Sequence, residues 1–570
     1  MNLEEIISTA RGDRPADLLL TNARIINVFS GEIVPGSIAI KNGHIVGIGS
    51  YRALETVDLG GRFVAPGLID SHVHIESSMM NVTEFARTVL ARGTTTVVAD
   101  PHEIANVLGI EGIRYMLASS KHQPMNIYYT LSSCVPATDM ETAGAMLAAD
   151  DLAAFINHDR ILALAEMMNF PGVIEADPEV LRKINLAQKE RKPVDGHAPG
   201  LSGPALNAYI AAGISSDHEC TSAQEAREKL MAGMHIMIRE GTGAKNLDRL
   251  LPVINERTCQ RMMWCTDDRH PHDLLLEGHI DFIVRRALHK GLDPVTAVQM
   301  ATINPADYFG LKDAGAIAPG RKADLMVISD LTGLTIDQVY SRGRLVAQNG
   351  RILPEIKKPS PLTVPPSMNV NPGDIDFSID ARARRIRVID IVPNQIVTRE
   401  CILDAKIKDD KALSDMRQDV LKIAVVERHT GSGGIGKAFV RGLGLTKGAI
   451  ASSVAHDSHN IIVAGASDAD MLVALTAVTD MKGGLAAACD GSVQATLPLP
   501  VGGLMSDEAV ETVCEKLDHL LAAARDFGCP LTDPFMTLSF LALPVIPSLK
   551  ITDRGLVDVE KFSFVPLFVE

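Results

Sequence analysis

Three short runs open the chain, ADLLLTNARIINV, GSIAIKNGHIVGIGS and ETVDLGGRFVAPG, in which alternating or β-branched residues are bounded by Gly, Asn or Pro. They predict a small antiparallel β unit over residues 1–65. The pattern returns at residues 313–356, where GAIAPGRKADLMVISD and VYSRGRLVAQNGRIL give strands between Gly turns. Matching flanks predict one β-sandwich built where the two ends of a central domain meet.

Residues 66–312 alternate compact apolar runs with helical stretches such as NVTEFARTVLAR, the order of parallel strands joined by crossover helices. The runs are GLIDSHVHI, TTTVVAD, NIYYTLSS, ILALAEM, PVDGHAP, GISSDHE, HIMIREG and RMMWCTDD. Eight such runs predict a TIM-like (β/α)8 barrel, so the fold class is α/β. A Pro-rich stretch at 357–374, KKPSPLTVPPSMNVNPGD, reads as a linker. Residues 375–570 are Gly-rich and mixed in pattern, with runs such as KIAVVER and NIIVAGA, and predict an additional C-terminal α+β domain.

Composition narrows the classes of function. The 570 residues are 46% hydrophobic and 22% charged, enough for a large core in a folded chain. The net charge is −15, without a basic cluster interleaved with aromatics, so no nucleic-acid partner is expected. The first residues are acidic where a signal peptide needs a basic region, and no run of 18 or more uncharged apolar residues exists, so the expected location is cytoplasmic, with no membrane contact. Eight cysteines lack CxxC spacing, which fits a reducing compartment and excludes a zinc deaminase of the cytidine type.

In a barrel of this kind the working residues stand at the carboxyl ends of the strands. The runs here end in Asp70, His72 and His74, then Asp100, Glu166, His197, His218 and Asp267. Histidines two apart on one strand point to the same face, so His72 and His74 can reach one ion. A set of imidazoles and carboxylates suits divalent zinc, iron or manganese. A single histidine at a strand end is more often structural; six ligand-type residues in succession around a closed ring are hard to explain by packing.

The string APGLIDSHVHIES resembles the first-strand signature of the amidohydrolase superfamily. The longer strings DSHVHIESSMM and VVADPHEIANVLG resemble the adenine deaminases within it, and the C-terminal unit is similar to the extra domain those enzymes carry. The resemblance implies a metal-dependent hydrolase that converts adenine to hypoxanthine and ammonia, with adenine and water as its small-molecule partners. It implies His72, His74 and Asp267 on one divalent ion, His197 and His218 on a second, and a bridge at Glu166, where many relatives carry a modified lysine. The metals expected are manganese, iron or zinc, with attack at C6 by a metal-activated hydroxide. Asp267 would orient the nucleophile and take its proton. The acid that protonates N1 is open between Glu103, His102 and Glu219; Glu103 is favoured because it lies in DPHEIAN. Mononuclear relatives place a glutamate soon after the strand-five histidine, and DGHAPGLSG has none. Asp100, His102 and Glu103 are the expected substrate contacts, Asp100 alternatively supporting a histidine ligand. A homodimer is expected. The alternatives are a cyclic-amide hydrolase of the dihydroorotase kind and a non-catalytic scaffold that kept the barrel.

Weaker signals remain. Arg239 and Glu240 end the seventh run and read equally as pocket lining or as a structural ion pair. His270 and His272 read as loop residues, and Asp268 as a brace on the far side of its strand from Asp267. RHTGSGGIGKAF lacks phosphate-loop spacing and reads as a turn. HDSHN at 456–460 could close over the active site or bind another ion, and most of the 22 methionines read as core filler.

Overall fold

The computed structural model describes residues 3–354, 360, 362–393 and 395–570. Five parallel strands form one arc: β1 (Leu68–Val73), β2 (Thr94–Ala99), β3 (Asn126–Leu131), β4 (Ile161–Met167) and β5 (Val194–Gly196). Three more form a second: β6 (Ser216–Asp217), β7 (His235–Arg239) and β8 (Met262–Cys265). Parallel bridges at Val194–Ile214 and Val73–Asp267 join the arcs, so the eight strands close into the predicted barrel. Alternation sorts their side chains. Ile69, Val98, Ala163, Met237, Met263 and Cys265 pack inside the ring, while Leu68, Ile236, Ile238 and Trp264 face the surrounding helices. Both faces are apolar, which is why the strands read as continuous runs. Trp264, the single tryptophan, is fully buried and donates from Nε1 to the carbonyl of Ala297 at 3.0 Å.

The two flanks of the barrel meet. Phe63–Pro66 pairs antiparallel with Leu325–Asp330, and nine strands from both ends share one sheet and one core that includes Leu20, Ile25, Val64, Leu325 and Val327. The chain therefore enters and leaves the barrel through adjacent strands.

Residues 355–359 and 361, within and beside the expected linker, lie outside the described residues. The later part of that stretch is packed rather than free. Arg428, fully buried, needs acceptors for its guanidinium and donates from Nη1 to the carbonyl of Ser367 at 2.9 Å, while Met368 and Val370 cover a core of the C-terminal domain. That domain is a nine-stranded mixed sheet with helix Asp468–Asp480 on one face and Val510–Asp526 on the other.

The C-terminal domain is docked on the barrel's strand ends. Met80 bridges to Ser506, Thr142 N donates to Asp553 Oδ1 at 2.9 Å, and Asn460 Nδ2 donates to the carbonyl of Thr142 at 2.8 Å. Among the described residues no helix is long and apolar enough to cross a membrane.

Candidate active site

Six side chains from five strand ends converge at the barrel mouth, centred on Glu166. Its Oε1 lies 3.3 Å from His74 Nε2 and 3.8 Å from His72 Nε2; its Oε2 lies 2.6 Å from His197 Nδ1 and 3.3 Å from His218 Nε2. Asp267 Oδ1 completes the first half, 3.1 Å from His74 Nε2 and 3.4 Å from His72 Nε2. Two donors on one tetrahedral ion, each bonded at about 2.1 Å, stand about 3.4 Å apart. The spacing and the N/O donor set thus fit divalent cations, and the two oxygens of Glu166 face different imidazoles, Oε1 nearest His74 and Oε2 nearest His197.

Neighbouring groups fix these donors. His74 Nδ1 pairs with the carbonyl of Asp100 at 3.1 Å, which aims Nε2 at the cluster. Arg239 grips Glu219 with both terminal nitrogens and reaches Asp267 Oδ2 at 2.7 Å. Burial disfavours every charge here, yet the partners outweigh it. Glu166 is held well below the usual carboxylate range by His197, His218 and His74, and Asp267 by Arg239 and the first two histidines. The same carboxylates push His218 up to about 9 against its burial.

Above the cluster lies a cavity of about 620 Å³, counted with its open mouth. Glu103 lines it from the barrel side. Its Oε1 accepts from Ser77 Oγ at 2.7 Å, and its buried Oε2 has no hydrogen-bond partner among the described residues and faces His459 Nε2 at 3.8 Å. Burial, then Glu76 and Asp268, push its carboxyl well above the ordinary range. His102 lies beside it, with Nδ1 3.2 Å from Asp100 Oδ2 and 3.5 Å from Glu166 Oε1.

The C-terminal domain supplies the roof. His456, stacked on Phe540 at a centroid distance of 4.7 Å, lines the cavity with Asp457, Met536 and Ile546. HDSHN therefore does close over the site. Its last histidine is poorly suited to a further ion: His459 Nδ1 accepts the amide hydrogen of Ala455 at 3.2 Å, so in the neutral ring Nε2 carries the proton. Arg428 anchors this loop, donating from Nε to the carbonyl of His459 and from Nη2 to that of Gly502 at 2.9 Å. The approach is close enough that a Cβ on Gly503, whose φ is +75°, would stand 2.8 Å from Arg428 Nη1.

Several expectations change. Asp100 does not line the cavity; its carboxylate sits behind His102, so it braces that ring rather than touching a substrate. Asp70 also faces away, pairing with His279 Nε2 at 3.0 Å and accepting from Thr266, a lock between β1 and β8. Asp268 lines the cavity beside Asp267 instead of pointing to the far side, because Asp267 adopts φ +58° and strand alternation stops there. Arg239 and Glu240 are not partners, since Glu240 pairs with Arg286 at 2.5 Å. His270 is buried and meets Asp533 Oδ2 at 3.1 Å, and His272 faces Asp518, so both join the barrel to the C-terminal domain. The RHTGSGGIGKAF turn encloses the carboxylate of Glu427, which accepts from the backbone of Thr430 and Ser432 and fills the space a phosphate would need. Ser77 and the 533–546 wall went unnoticed in the sequence. Ser77 lies inside a string used there only for its resemblance, and the wall has no ligand-type pattern.

Comparison with known proteins agrees with this geometry. Residues 63–346 match the amidohydrolase family and residues 395–563 the adenine deaminase C-terminal domain. The chain is 56% identical over 565 residues to an adenine deaminase of Desulfatibacillum aliphaticivorans, covering 99% of each chain. It is 48% identical to those of Kosmotoga olearia, covering 100% of this chain and 99% of that one, and Methanothrix thermoacetophila, covering 100% of both. The family match and the buried donor cluster together mark a site for divalent metal. By sequence along its whole length the chain belongs to the adenine deaminase family, with a barrel of the amidohydrolase type.

Proposed function

We propose that this protein hydrolyses adenine to hypoxanthine and ammonia in the cavity between barrel and C-terminal domain, at a centre of two divalent ions. The observation that carries the dinuclear reading is Glu166, whose two oxygens face different imidazoles, His74 at Oε1 and His197 at Oε2. His72, His74 and Asp267 would hold one ion, His197 and His218 the other, with Glu166 shared. Manganese, iron and zinc all suit this donor set. When bound, such ions supply a water that gives up its proton near neutral pH instead of near 16.

The chain's own groups do the remaining work. Asp267, kept ionised and oriented by Arg239, takes the proton released by the attacking water. Attack at C6 raises the basicity of ring nitrogen N1. Glu103, which lines the cavity and whose carboxyl is pushed up by burial, gives N1 its proton. Asp267 then returns its proton to the amino nitrogen, which leaves as ammonia, while the proton on the new C6 oxygen passes to the Glu103 carboxylate, leaving the C6 carbonyl of hypoxanthine and restoring the acid. Glu219, held by both terminal nitrogens of Arg239, fixes that arginine against Asp267 and does not move a proton. His102, between Glu166 and the roof, contacts the base.

The test is to strip the protein with chelator, restore manganese, iron or zinc separately, and follow ammonia release from adenine, adenosine, cytosine and dihydroorotate. Activity returning on adenine as loading approaches two ions per chain is the expected result. Opening of dihydroorotate with adenine untouched would replace this function by cyclic-amide hydrolysis.

A further inference from the structure

The roof of the cavity carries a charged group only half satisfied by the chain. Asp457 is 3% exposed and lines the cavity. Its Oδ1 faces His102 Nε2 at 3.8 Å, while Oδ2 has no hydrogen-bond partner among the described residues. A carboxylate oxygen buried in this way is costly unless something binds to it.

The cavity holds two carboxyl groups shifted in opposite directions. Burial, Glu76 and Asp268 push Glu103 up. Burial would raise Asp457 too, but His102 and His456 outweigh it and keep Asp457 ionised. One group can donate and the other only accepts. They also differ in position, because the His102 ring stands between Glu166 and Asp457, with Nδ1 3.5 Å from Glu166 Oε1 and Nε2 toward Asp457. Asp457 is thus set back from the metal ligands by the His102 ring and the 3.5 and 3.8 Å contacts on either side of it, on the roof side of the cavity.

We propose that Asp457 Oδ2 accepts the hydrogen bond of the N–H on the five-membered ring of a free purine base, which makes Asp457 a specificity-determining residue. The inference rests on the reaction proposed above. A base alkylated at that nitrogen has no hydrogen to offer and brings a carbon against a buried charge. Sites built to pair with a substrate N–H reject analogues that lack it by large factors.

The test compares adenine with 7-methyladenine and 9-methyladenine on the metal-loaded, full-length enzyme and on Asp457→Ala and Asp457→Asn. The wild type is expected to discriminate against at least one methyl isomer by about 100-fold in kcat/KM. In Asp457→Ala, KM for adenine rises about 10- to 100-fold, kcat stays within about threefold, and the discrimination falls at least about tenfold. Asp457→Asn, which keeps an amide oxygen, falls between. Unchanged discrimination in Asp457→Ala, or a loss wholly in kcat, overturns the assignment. If the alanine variant does not fold by circular dichroism, inhibition of the wild type by purine and its 7- and 9-methyl derivatives decides: a cost of about tenfold at one position supports the contact, and equal inhibition by all three overturns it. A wild type inert toward adenine with every metal overturns the underlying reaction, a failure told apart because it needs no Asp457 variant.

Discussion

Floor and roof of the same cavity differ in how their polar atoms are partnered. On the floor, Glu166 and Asp267 each meet imidazole nitrogens within 2.6–3.8 Å, and Arg239 takes the remaining oxygen of Asp267. Around the chamber above it, Asp457 Oδ2 has no hydrogen-bond partner among the described residues, Glu103 Oε2 and His459 Nε2 face each other at 3.8 Å, and Phe540 and Met536 supply apolar wall. A cluster of opposed donors and acceptors is what a cation site becomes when written in side chains alone. Unpaired groups beside apolar surface are what a small polar base requires. In the function proposed above, the floor governs metal and nucleophile, and the chamber governs substrate and the proton for N1.

The sharpest way to break this division is Glu166→Gln. It should cut kcat by about 1,000-fold or more and reduce bound metal from two ions to one per chain, read by elemental analysis. A variant with two ions and full turnover would remove the bridge and the dinuclear reading with it. Next is Glu103→Gln, expected to lower kcat about 100- to 1,000-fold with metal content unchanged. Activity that needs protonated Glu103 declines as pH rises through that group's elevated pKa, and the variant should lose this alkaline limb. Loss of metal from Glu103→Gln would instead assign the residue to the floor.

The smallest effect concerns how the roof is anchored. Glu427 closes the turn next to Arg428, and hydrogen bonds from Thr430 and Ser432 hold its carboxylate at about 2 despite burial. The folded value lies below the unfolded one near 4.5, so the stabilisation is fully present above pH 4.5 and disappears as pH falls through 2. Glu427→Gln should lose about 3 kcal/mol at pH 7 and converge on the wild type near pH 2, measured by denaturant unfolding. A constant gap across that range would mean the carboxylate's charge is irrelevant to the turn.

The same contrast explains what the sequence made legible. Strand ends could be read because alternation and barrel geometry fix where a residue after an apolar run must point. His72, His74, Glu166, His197, His218 and Asp267 all stand at such places. The rule failed at Asp268 for a local reason, the left-handed backbone of Asp267, which no periodicity reveals. It had nothing to say about Phe540 or Met536, which sit on a short helix, Pro534–Phe540, whose apolar residues look like ordinary core. It also misjudged Ser367–Val370, where proline content suggested a free tether but a buried guanidinium far along the chain required its carbonyl.

Trp264 gives the floor its own optical signal. It is the only indole in 570 residues, it sits on the strand that leads to Asp267, and its carbonyl accepts from Ser71 Oγ, one residue before His72. All intrinsic indole emission therefore originates beneath the ligand cluster, so iron or manganese entering there should quench it while zinc leaves it bright, and loading can be titrated without any attached dye.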